Sequence, residues 1–440
     1  MLAAPACMAH ASRVRAVVAR TYLRAGRQGP TEAGYAPDPA APGPREADAD
    51  RLPRPVPGDG LMAATARVGM VGGGQLARMT HAAAIDLGIA LHVLAATPTD
   101  PAVLAGASHR IGEPDDLDAL TAFAREVDVL TLDHELVEAT HLEALAAAGH
   151  TIRPHAAALL HAKDKLHART RLGELGLPVP PFAPVDDLEQ VLAFTAEHQW
   201  PVVMKARRGG YDGRGVAVVN GPDQAADVLA RGGSWMVETH VEIDVEVAVL
   251  LARRPGGQHV TYPLIETVQQ DGICVELIQP ARVHHQVAAA AIALGTRVAD
   301  AVDGVGIIAV ELFISGDGTL TINELALRPH NSGHATIEGS TTSQFHNHLR
   351  AVLDWPLGDT SMRTPVATLV NLLGPDGPDQ IAARLPRALE VSAAQVHLYG
   401  KASRPGRKIG HITVLGDDVE VARDQAWTAT QHLVGDDPAG

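Results

Sequence analysis

The change in hydrophobic periodicity near residue 180 constrains the fold of this chain more than any other feature. From Thr65 onward, the apolar segments "ARVGMV", "IALHVLA" and "VDVLTL" alternate with stretches of helical spacing, a pattern typical of a parallel α/β sheet. The Pro-rich turn in "GELGLPVPPF" (Gly173–Phe182) marks a boundary. Beyond it strands dominate, and Gly-containing turns such as "SGDGTL" (Ser315–Leu320) join some of them. The sequence therefore predicts an α/β domain followed by an α+β region with an antiparallel sheet.

Composition limits the partners and the compartment of the chain. It carries 36 Lys and Arg against 51 Asp and Glu, a formal net charge of −15, which disfavours polyanionic partners such as nucleic acid or a membrane surface. The only cysteines, Cys7 and Cys274, fit a reducing compartment. No apolar run reaches the roughly 18 residues of a membrane helix. We therefore expect a cytoplasmic protein that binds neither nucleic acid nor membranes.

The first 62 residues differ from the rest of the chain. Much of this segment is rich in Pro, Ala, Gly and charge without periodicity. Such a segment buries too little apolar surface to offset chain entropy, which predicts a disordered extension. The Arg-rich stretch "ASRVRAVVARTYLRAGRQ" also has the composition of an organellar transit peptide. The alternatives are a natural tail or an over-extended start, with Met62 as the true one.

A glycine-rich turn, "GGGQLARM" (Gly72–Met79), follows the first predicted strand and opens a helix. Glycines there let the backbone approach a phosphate, and the helix N-terminus carries partial positive charge. The turn satisfies the G-x-G-x-x-A dinucleotide pattern, but "LAATPT" supplies no ribose-binding acid before Asp100. We therefore disfavour NAD and predict a phosphate or polar substrate near Gln75. A tight turn without a ligand is the alternative.

A second glycine-rich segment, "KARRGGYDGRG" (Lys205–Gly215), lies between two predicted strands. No Walker A sequence occurs in the chain, so this segment is not a P-loop. A mobile hairpin that closes over phosphates is another way to bind a nucleotide. Lys205 would end the entering strand beside an α- or β-phosphate, while Tyr211, Asp212 and Arg214 would contact a second substrate. A solvated basic hairpin is the alternative.

Two carboxylates lie in apolar strand sequences, Glu311 in "VELF" and Glu324 in "INELAL". On adjacent antiparallel strands both would point to one face, where buried carboxylates repel each other unless cations pair with them. Oxygen ligands without cysteine or histidine favour a hard cation, and Mg²⁺ bridging nucleotide phosphates is the simplest occupant. A salt bridge to Arg328 is the alternative. The following turn, with Arg328, His330 and Asn331, would hold a small anion.

Two further segments suit a nucleotide and a phosphorylated substrate. "VETHVEIDVEV" places Glu238 at a strand end and Glu246 at the start of the next strand, as expected where the backbone contacts adenine and an acid binds ribose. "GKASRPGRKIGH" (Gly400–His411) concentrates positive charge within an acidic protein, which predicts a phosphate-binding patch. A solvated basic turn is the alternative for this second segment.

Taken in order, seven motifs resemble the ATP-grasp superfamily and, within it, the N5-carboxyaminoimidazole ribonucleotide synthase family. The motifs are "GGGQLARM", "KARRGGYDGRG", "YPLIETVQQDGIC", "VELF", "INELALRPHNSGH", "SQFHNHLRAV" and "RPGRKIGH". The resemblance implies an ATP-grasp fold with an N-terminal parallel α/β (pre-ATP-grasp) domain, a central lid and a C-terminal antiparallel sheet. It divides the chain into a disordered extension (1–62), the N-terminal domain (63–162), the ATP-grasp region (163–365, lid about 183–242), a small β-rich C-terminal segment (366–432) and a tail (433–440).

The resemblance also implies an activity and its partners. In the family, ATP and bicarbonate form carboxyphosphate, with one or two Mg²⁺ ions bound alongside ATP. The amine of 5-aminoimidazole ribonucleotide captures this intermediate, or the CO₂ released from it, in a step of de novo purine biosynthesis. A homodimer is implied by the same resemblance.

Residue roles follow from the positions that match the family motifs. Those implied to bind ATP are Lys165, Lys205, Gly209, Gly210, Gly213, Gly215, Glu238, Val241, Glu246, Asn323 and Glu324. Those implied to bind the ribonucleotide are Gln75, Glu135, Tyr211, Asp212, Arg214, Lys401, Arg407 and Lys408. The implied catalytic residues are Lys205, Arg328, His330 and Asn331, and the implied Mg²⁺ ligands are Glu311 and Glu324.

The sequence departs from the family pattern at three places. Lys165 replaces the commoner arginine, Gln269 stands where some members have histidine, and "LDHEL" leaves Asp133 unassigned although Glu135 fits. A formate-dependent glycinamide ribonucleotide transformylase or a biotin carboxylase is disfavoured by "GGYDGRG" and "RPGRKIGH". An NAD-dependent oxidoreductase lacks its ribose-binding acid. A non-catalytic nucleotide sensor is disfavoured because both predicted metal-binding glutamates are present.

Overall fold

The computed structural model of the chain describes residues 65–209, 215–375 and 380–435. Residues 1–62, predicted to be disordered, lie outside the described residues, as do Gly210, Tyr211, Asp212, Gly213 and Arg214. Met62–Gly440 is one compact unit. None of the described helices is long and apolar enough to cross a membrane.

A four-stranded parallel sheet, in the order β3-β2-β1-β4, opens the described chain. Its strands are β1 Arg67–Val71, β2 Ala90–Ala95, β3 Ser108–Ile111 and β4 Val129–Leu132. Its helices are α1 Gln75–Leu87, α2 Pro101–Leu104, α3 Leu117–Ala124 and α4 Ala139–Ala147. Strand β1 is buried beyond its first residue, because apolar cores cover both of its faces. The predicted parallel α/β arrangement is confirmed.

A second sheet, in the order β5-β8-β6-β7, is antiparallel and covers most of the predicted lid, about 183–242. Its strands are β5 Phe182–Val185, β6 Val202–Ala206, β7 Val216–Val219 and β8 Trp235–Thr239. In the sequence, helices α5 Ala156–Lys163 and α6 Lys165–Glu174 precede this sheet. Helix α7 Leu188–His198 connects β5 to β6, and helix α8 Pro222–Leu229 connects β7 to β8. Because β6 pairs with β7, the glycine-rich segment connects two neighbouring strands, as predicted.

A nine-stranded sheet forms the centre of the described chain, in the order β14-β13-β9-β11-β12-β15-β17-β16 with β10 beside β9. Its strands are β9 Val245–Arg253, β10 His259–Thr261, β11 Ile265–Gln270, β12 Ile273–Gln279, β13 Gly306–Ile314, β14 Leu320–Ala326, β15 Val366–Leu373, β16 Gln395–Leu398 and β17 Lys408–Gly416. Its helices are α9 His285–Val302, α10 Thr336–Gly339, α11 Gln344–Val352, α12 Ile381–Ala388 and α13 Val419–Val434, with a 3-10 turn at Asn331–Gly333.

The strands of the predicted C-terminal segment, 366–432, continue this central sheet. Strand β15 pairs antiparallel with β12, from Glu276 opposite Val370 to Gln279 opposite Ala367. Strand β17 then pairs with β15, and β16 with β17. The basic segment that precedes β17 is therefore attached to the same sheet as the predicted metal-binding glutamates.

Candidate active site

The glycine-rich turn after β1 depends on Asp133, which follows β4. The Gly74 amide donates to Asp133 Oδ2 at 2.6 Å, and a Cβ on Gly74 would come within 2.5 Å of that same oxygen. Gly72 has a φ of +105°, which disfavours any side chain there. Asp133, left unassigned from the sequence, thus holds the turn that begins α1 at Gln75, at the carboxyl ends of neighbouring parallel strands.

Two of the residues predicted to bind the ribonucleotide, Gln75 and Lys401, contact each other although they lie 326 residues apart in the sequence. Lys401 Nζ donates to Gln75 Oε1, which joins the C-terminal basic segment to the first glycine-rich turn. Glu135 accepts a hydrogen bond from Arg328 Nε at 2.9 Å. Arg407 donates to the Ala402 carbonyl at 3.1 Å. Lys408, also predicted to bind the ribonucleotide, is the first residue of β17.

Lys205 is the penultimate residue of β6 and lies inside a buried group of three charges, the Arg169–Glu238–Lys205 group. Its Nζ forms an ion pair with Glu238 Oε1, and it donates to Asn323 Oδ1 of β14 at 3.0 Å. Arg169 Nε and a terminal guanidinium nitrogen each lie 3.0 Å from Glu238 Oε2. Both carboxylate oxygens of Glu238 are therefore bonded to cations. Its predicted role in adenine and ribose binding stays a prediction.

Glu311 and Glu324 lie directly opposite each other on β13 and β14, next to a register shift. Lys165 Nζ donates to Glu324 Oε2 at 2.8 Å, and Asn323 Nδ2 lies 3.4 Å from Glu311 Oε2. The two carboxylates thus face one side of the sheet, as predicted. The alternative of a salt bridge to Arg328 is not observed, since Arg328 pairs with Glu135.

The electrostatics of this carboxylate pair suit a cation. Burial and the neighbouring Glu324 and Glu246 raise the pKa of Glu311. Burial also opposes ionisation of Glu324, but Lys165 and Lys205 outweigh it and lower the pKa of Glu324. Ionisation of both carboxyls is therefore incompletely compensated by the protein, and a bound Mg²⁺ would complete the compensation.

Protein ligands alone do not complete a metal site. Among the residues that the structure describes, no group of three or more His, Cys, Asp or Glu is arranged to hold a metal ion. A cation bound by Glu311 and Glu324 would therefore take its remaining ligands from elsewhere, as Mg²⁺ does when nucleotide phosphates and water complete its shell.

The predicted anion-binding turn follows β14 directly. His330 Nδ1 lies 2.9 Å from Ser332 Oγ, and His330 Nε2 lies 3.6 Å from Glu311 Oε1. The amides of Asn331 and Asn371 exchange two hydrogen bonds of 2.9 Å each. Asn331 is therefore held by β15, and His330 links the turn to the carboxylate pair.

The remaining predicted ATP ligands lie near the start of β9, in the connection that leads to it, and in the glycine-rich segment. Glu246 is the second residue of β9 and lies opposite Thr267, and burial raises its pKa. Val241 lies half-buried in the connection between β8 and β9. Within the glycine-rich segment, Gly209 and Gly215 have φ values of +76° and +71°. The five residues between them, predicted to contact ATP or the second substrate, lie outside the described residues.

Arg169 and Asp164 were not singled out from the sequence. Asp164 is buried, caps α6, and accepts hydrogen bonds from Arg207 and Arg208 at 3.1 Å each, next to the glycine-rich segment. Arg169 lies four residues after Lys165 on α6 and therefore on the same helix face. That spacing was the available signal, but the carboxylate that Arg169 contacts is 69 residues away.

Family models match most of the described chain. The ATP-grasp domain model matches residues 170–345, the ribonucleotide synthetase preATP-grasp domain model matches 65–163, and the phosphoribosylaminoimidazole carboxylase C-terminal domain model matches 367–425. These matches, with the sheets and charged groups above, define an ATP-grasp ligase. The predicted ATP-grasp fold class is confirmed.

Relatives and solved structures narrow the class further. The N5-carboxyaminoimidazole ribonucleotide synthase of Mycobacterium tuberculosis is 47% identical over 380 residues, covering 83% of this chain and 87% of that protein. The structure of the Thermus thermophilus synthetase of that name has a TM-score of 0.75 at 37% identity, covering 84% of this chain and 99% of its own. That of the Aspergillus clavatus N5-carboxyaminoimidazole synthase, in complex with ADP and 5-aminoimidazole ribonucleotide, has a TM-score of 0.78 at 31% identity, covering 84% and 98%. The chain belongs to the N5-carboxyaminoimidazole ribonucleotide synthase family, which confirms the resemblance.

Proposed function

We propose that this chain catalyses the ATP-dependent carboxylation of 5-aminoimidazole ribonucleotide with bicarbonate. The products are N5-carboxyaminoimidazole ribonucleotide, ADP and phosphate, in de novo purine biosynthesis. The observation that carries the proposal is the Glu311–Glu324 pair, which lies between the lid cation Lys205 and the turn that holds His330. The name and ligands of the Aspergillus clavatus relative support the choice of substrates.

ATP would bind between the lid sheet and the central sheet. Glu238, Val241 and Glu246 would contact adenine and ribose, and Lys165, Lys205 and the glycines of the hairpin would contact the phosphates. Glu311 and Glu324, with Asn323, fit a Mg²⁺ ion, which when bound neutralises charge on the phosphoryl group that is transferred.

The first chemical step would activate bicarbonate. A bicarbonate oxygen attacks the γ-phosphorus of ATP, the bond to the bridging oxygen of ADP breaks, and carboxyphosphate forms. Lys205, fixed between Glu238 and Asn323, would stabilise the charge that develops on the phosphoryl oxygens. Carboxyphosphate hydrolyses readily, so closure of the lid over the site would exclude water.

The second step would transfer the carboxyl group. The amine of the ribonucleotide forms a carbon–nitrogen bond with the carboxyl carbon of carboxyphosphate, or of CO₂ released from it, and phosphate leaves. Arg328, His330 and Asn331 would surround the anions, and Glu135, which accepts a hydrogen bond from Arg328 Nε, would orient the guanidinium. His330 is the candidate to accept the proton of the amine.

The second substrate would lie beside the first glycine-rich turn. Gln75 and Lys401, which contact each other, would bind its 5′-phosphate end together with Arg407 and Lys408. Glu135 would complete this site, with Tyr211, Asp212 and Arg214 reaching it from the hairpin. A homodimer and a cytoplasmic location stay predictions from the resemblance and the composition.

Phosphate release from ATP tests the proposed function. With Mg²⁺ and bicarbonate present, 5-aminoimidazole ribonucleotide should stimulate the rate strongly, whereas formate with glycinamide ribonucleotide should not. Glu324→Ala should abolish the stimulation, because the predicted metal site loses a ligand. Glu174→Ala, which removes a half-exposed carboxylate paired with Arg171 on α6, should leave it unchanged. Bound ATP without any stimulation by the ribonucleotide would contradict the proposal.

A further inference from the structure

Arg169 is almost completely buried, yet it is not among the residues proposed to contact a substrate. Its side chain is 2% exposed, as is Glu238, and Lys205 is 6% exposed. A buried arginine is costly unless it is paired, and Arg169 is paired through two nitrogens with one carboxylate oxygen. The other oxygen of that carboxylate is occupied by Lys205. Glu238 therefore forms ion pairs with two cations at once.

The three buried side chains do not neutralise each other completely. Two cations and one carboxylate leave the Arg169–Glu238–Lys205 group with one net positive charge. Without Arg169, Lys205 and Glu238 would form a neutral pair. A neutral pair attracts a nucleotide phosphate much less than a cation does, especially where little water screens the interaction.

Arg169 does not create this net charge by favouring the protonated form of Lys205. Burial lowers the pKa of Lys205, Glu238 opposes that shift, and Arg169 adds to the lowering. The contribution of Arg169 comes through Glu238. Burial alone would raise the pKa of Glu238, but Arg169 and Lys205 outweigh it and keep this carboxyl ionised and neutralised by two cations.

Helix α6 carries the two cations that face the lid and the central sheet. Lys165 reaches Glu324 of β14, and Arg169, one helical turn later, reaches Glu238 of β8. The same helix thus fixes a carboxylate in each sheet. Lys205 lies between them, bonded to both Glu238 and Asn323.

We propose that Arg169 is a positioning residue for nucleotide binding: it neutralises Glu238, so that Lys205 keeps an uncompensated positive charge for the nucleotide phosphates. This inference rests on the proposed function only in that phosphates bind at Lys205. It requires neither bicarbonate nor the ribonucleotide as a substrate.

Calorimetric titration of the full chain with Mg-ADP and with adenosine tests the proposal. Arg169→Gln should weaken ADP binding about tenfold or more, because one net charge beside the phosphates is lost. Its adenosine affinity should stay near that of the wild type, because adenosine carries no phosphate. Arg169→Lys retains the charge and should restore most of the ADP affinity.

Arg253 provides the matched control, since it is another buried arginine whose guanidinium pairs with Asp300 and Asp303. It ends β9, seven residues and roughly 23 Å along the strand from Glu246. Arg253→Gln should leave the affinities for ADP and adenosine unchanged. The proposal would be overturned if Arg169→Gln weakened the binding of ADP and adenosine equally, or if Arg169→Lys did not restore ADP affinity. Either result would mean that Arg169 has only a structural role.

A histidine variant covers the case in which Arg169→Gln does not fold. In Arg169→His the ADP affinity should rise as the pH falls from about 8 to about 6, relative to the wild type, because the imidazole gains its charge in this range. The absence of that relative rise would overturn the proposal. Failure of the proposed carboxylation would instead appear in the wild type, as missing stimulation by the ribonucleotide, whatever the ADP titrations give.

Discussion

Glu276 and Glu311 lie on strands β12 and β13 of one sheet, but their surroundings differ. Glu276 is buried and its two oxygens pair with Arg423 of α13 at 2.7 and 2.9 Å. Glu311 lies opposite Glu324, with His330 Nε2 3.6 Å away. The strand registers place these two glutamates on opposite faces of the sheet. One face holds a carboxylate with its own arginine, and the other holds carboxylates that face each other.

This difference separates a carboxylate whose charge is neutralised within the chain from one whose charge is only partly compensated. The pair between Glu276 and Arg423 is complete within the chain, so that it contributes to folding without any further partner. Glu311 is ionised only at a cost, because burial and the nearby carboxylates raise its pKa. Proteins retain such unfavourable groups where function requires them, and their removal often stabilises the fold.

The largest expected effect comes from removing the charge of Glu311. Glu311→Gln should lower the ribonucleotide-stimulated rate by about 10²–10³-fold, since a predicted Mg²⁺ ligand is lost. In Mg²⁺-free buffer near neutral pH the same variant should raise Tm by about 1–3 °C. The sign follows from the raised pKa, about 8 against the usual 4.5: at neutral pH the folded state keeps a proton at Glu311 that the unfolded state has released, and taking up this proton on folding costs stability that the glutamine variant does not lose.

Glu276→Gln should show the opposite pattern and is the matched control. Its activity should stay within about twofold of the wild type, while its Tm should fall, because the half-buried Arg423 loses two charge-assisted hydrogen bonds. Activity assays and calorimetric melting of both variants test the comparison. If Glu311→Gln melts below the wild type, or if Glu276→Gln is as inactive as Glu311→Gln, the distinction between the two carboxylates fails.

A smaller effect is expected for a buried group whose hydrogen bonds are complete in its neutral form. His348 Nε2 lies 2.9 Å from Thr131 Oγ1, and its Nδ1 accepts from the Ile307 amide at 3.1 Å. Burial lowers its pKa to about 3 from the usual 6.5. The unfolded state therefore binds a proton first on acidification, and the free energy of unfolding should fall as the pH drops below about 6.5.

Urea unfolding at two pH values measures this contribution. Between about pH 7 and about pH 5, His348 should account for about 2 kcal/mol of the stability lost by the wild type. His348→Gln lacks the titrating group and should lose correspondingly less over the same range, although it is less stable at both pH values. An equal pH dependence in the two proteins would contradict the proposed neutral state of His348.

The smallest effect is expected at the start of the chain. A protein that begins at Met62 should keep the kcat/KM of the full chain within about twofold, because the family models begin at residue 65 and every residue proposed for the site lies beyond it. Steady-state assays of the two proteins, with urea unfolding alongside, give the comparison. Lost activity in a folded truncated protein would show that residues 1–61 contribute to the site.

Local patterns were sufficient to predict much of the fold and part of the site. The apolar segments "ARVGMV" and "VELF" predicted strands that the structure contains, and the glycines of "GGGQLARM" predicted the turn before α1, since periodicity and turn chemistry act over a few residues. The shared face of Glu311 and Glu324 also followed from the sequence, because a short turn joins the two strands. Strand β12 and helix α9 were not singled out, and the pairing of β12 with β15 joins residues some 90 positions apart.

The sequence by itself determined which residue types stand at which strand ends, and this was enough to identify the family. Only the tertiary structure decided which charges are paired within the protein. Glu238 lies between Arg169 and Lys205, Asp133 holds Gly74, and Arg328 is paired with Glu135 rather than with a metal-binding glutamate. The physical reason is that charge pairing depends on distance in space, and these partners lie 33 to 193 residues apart along the chain.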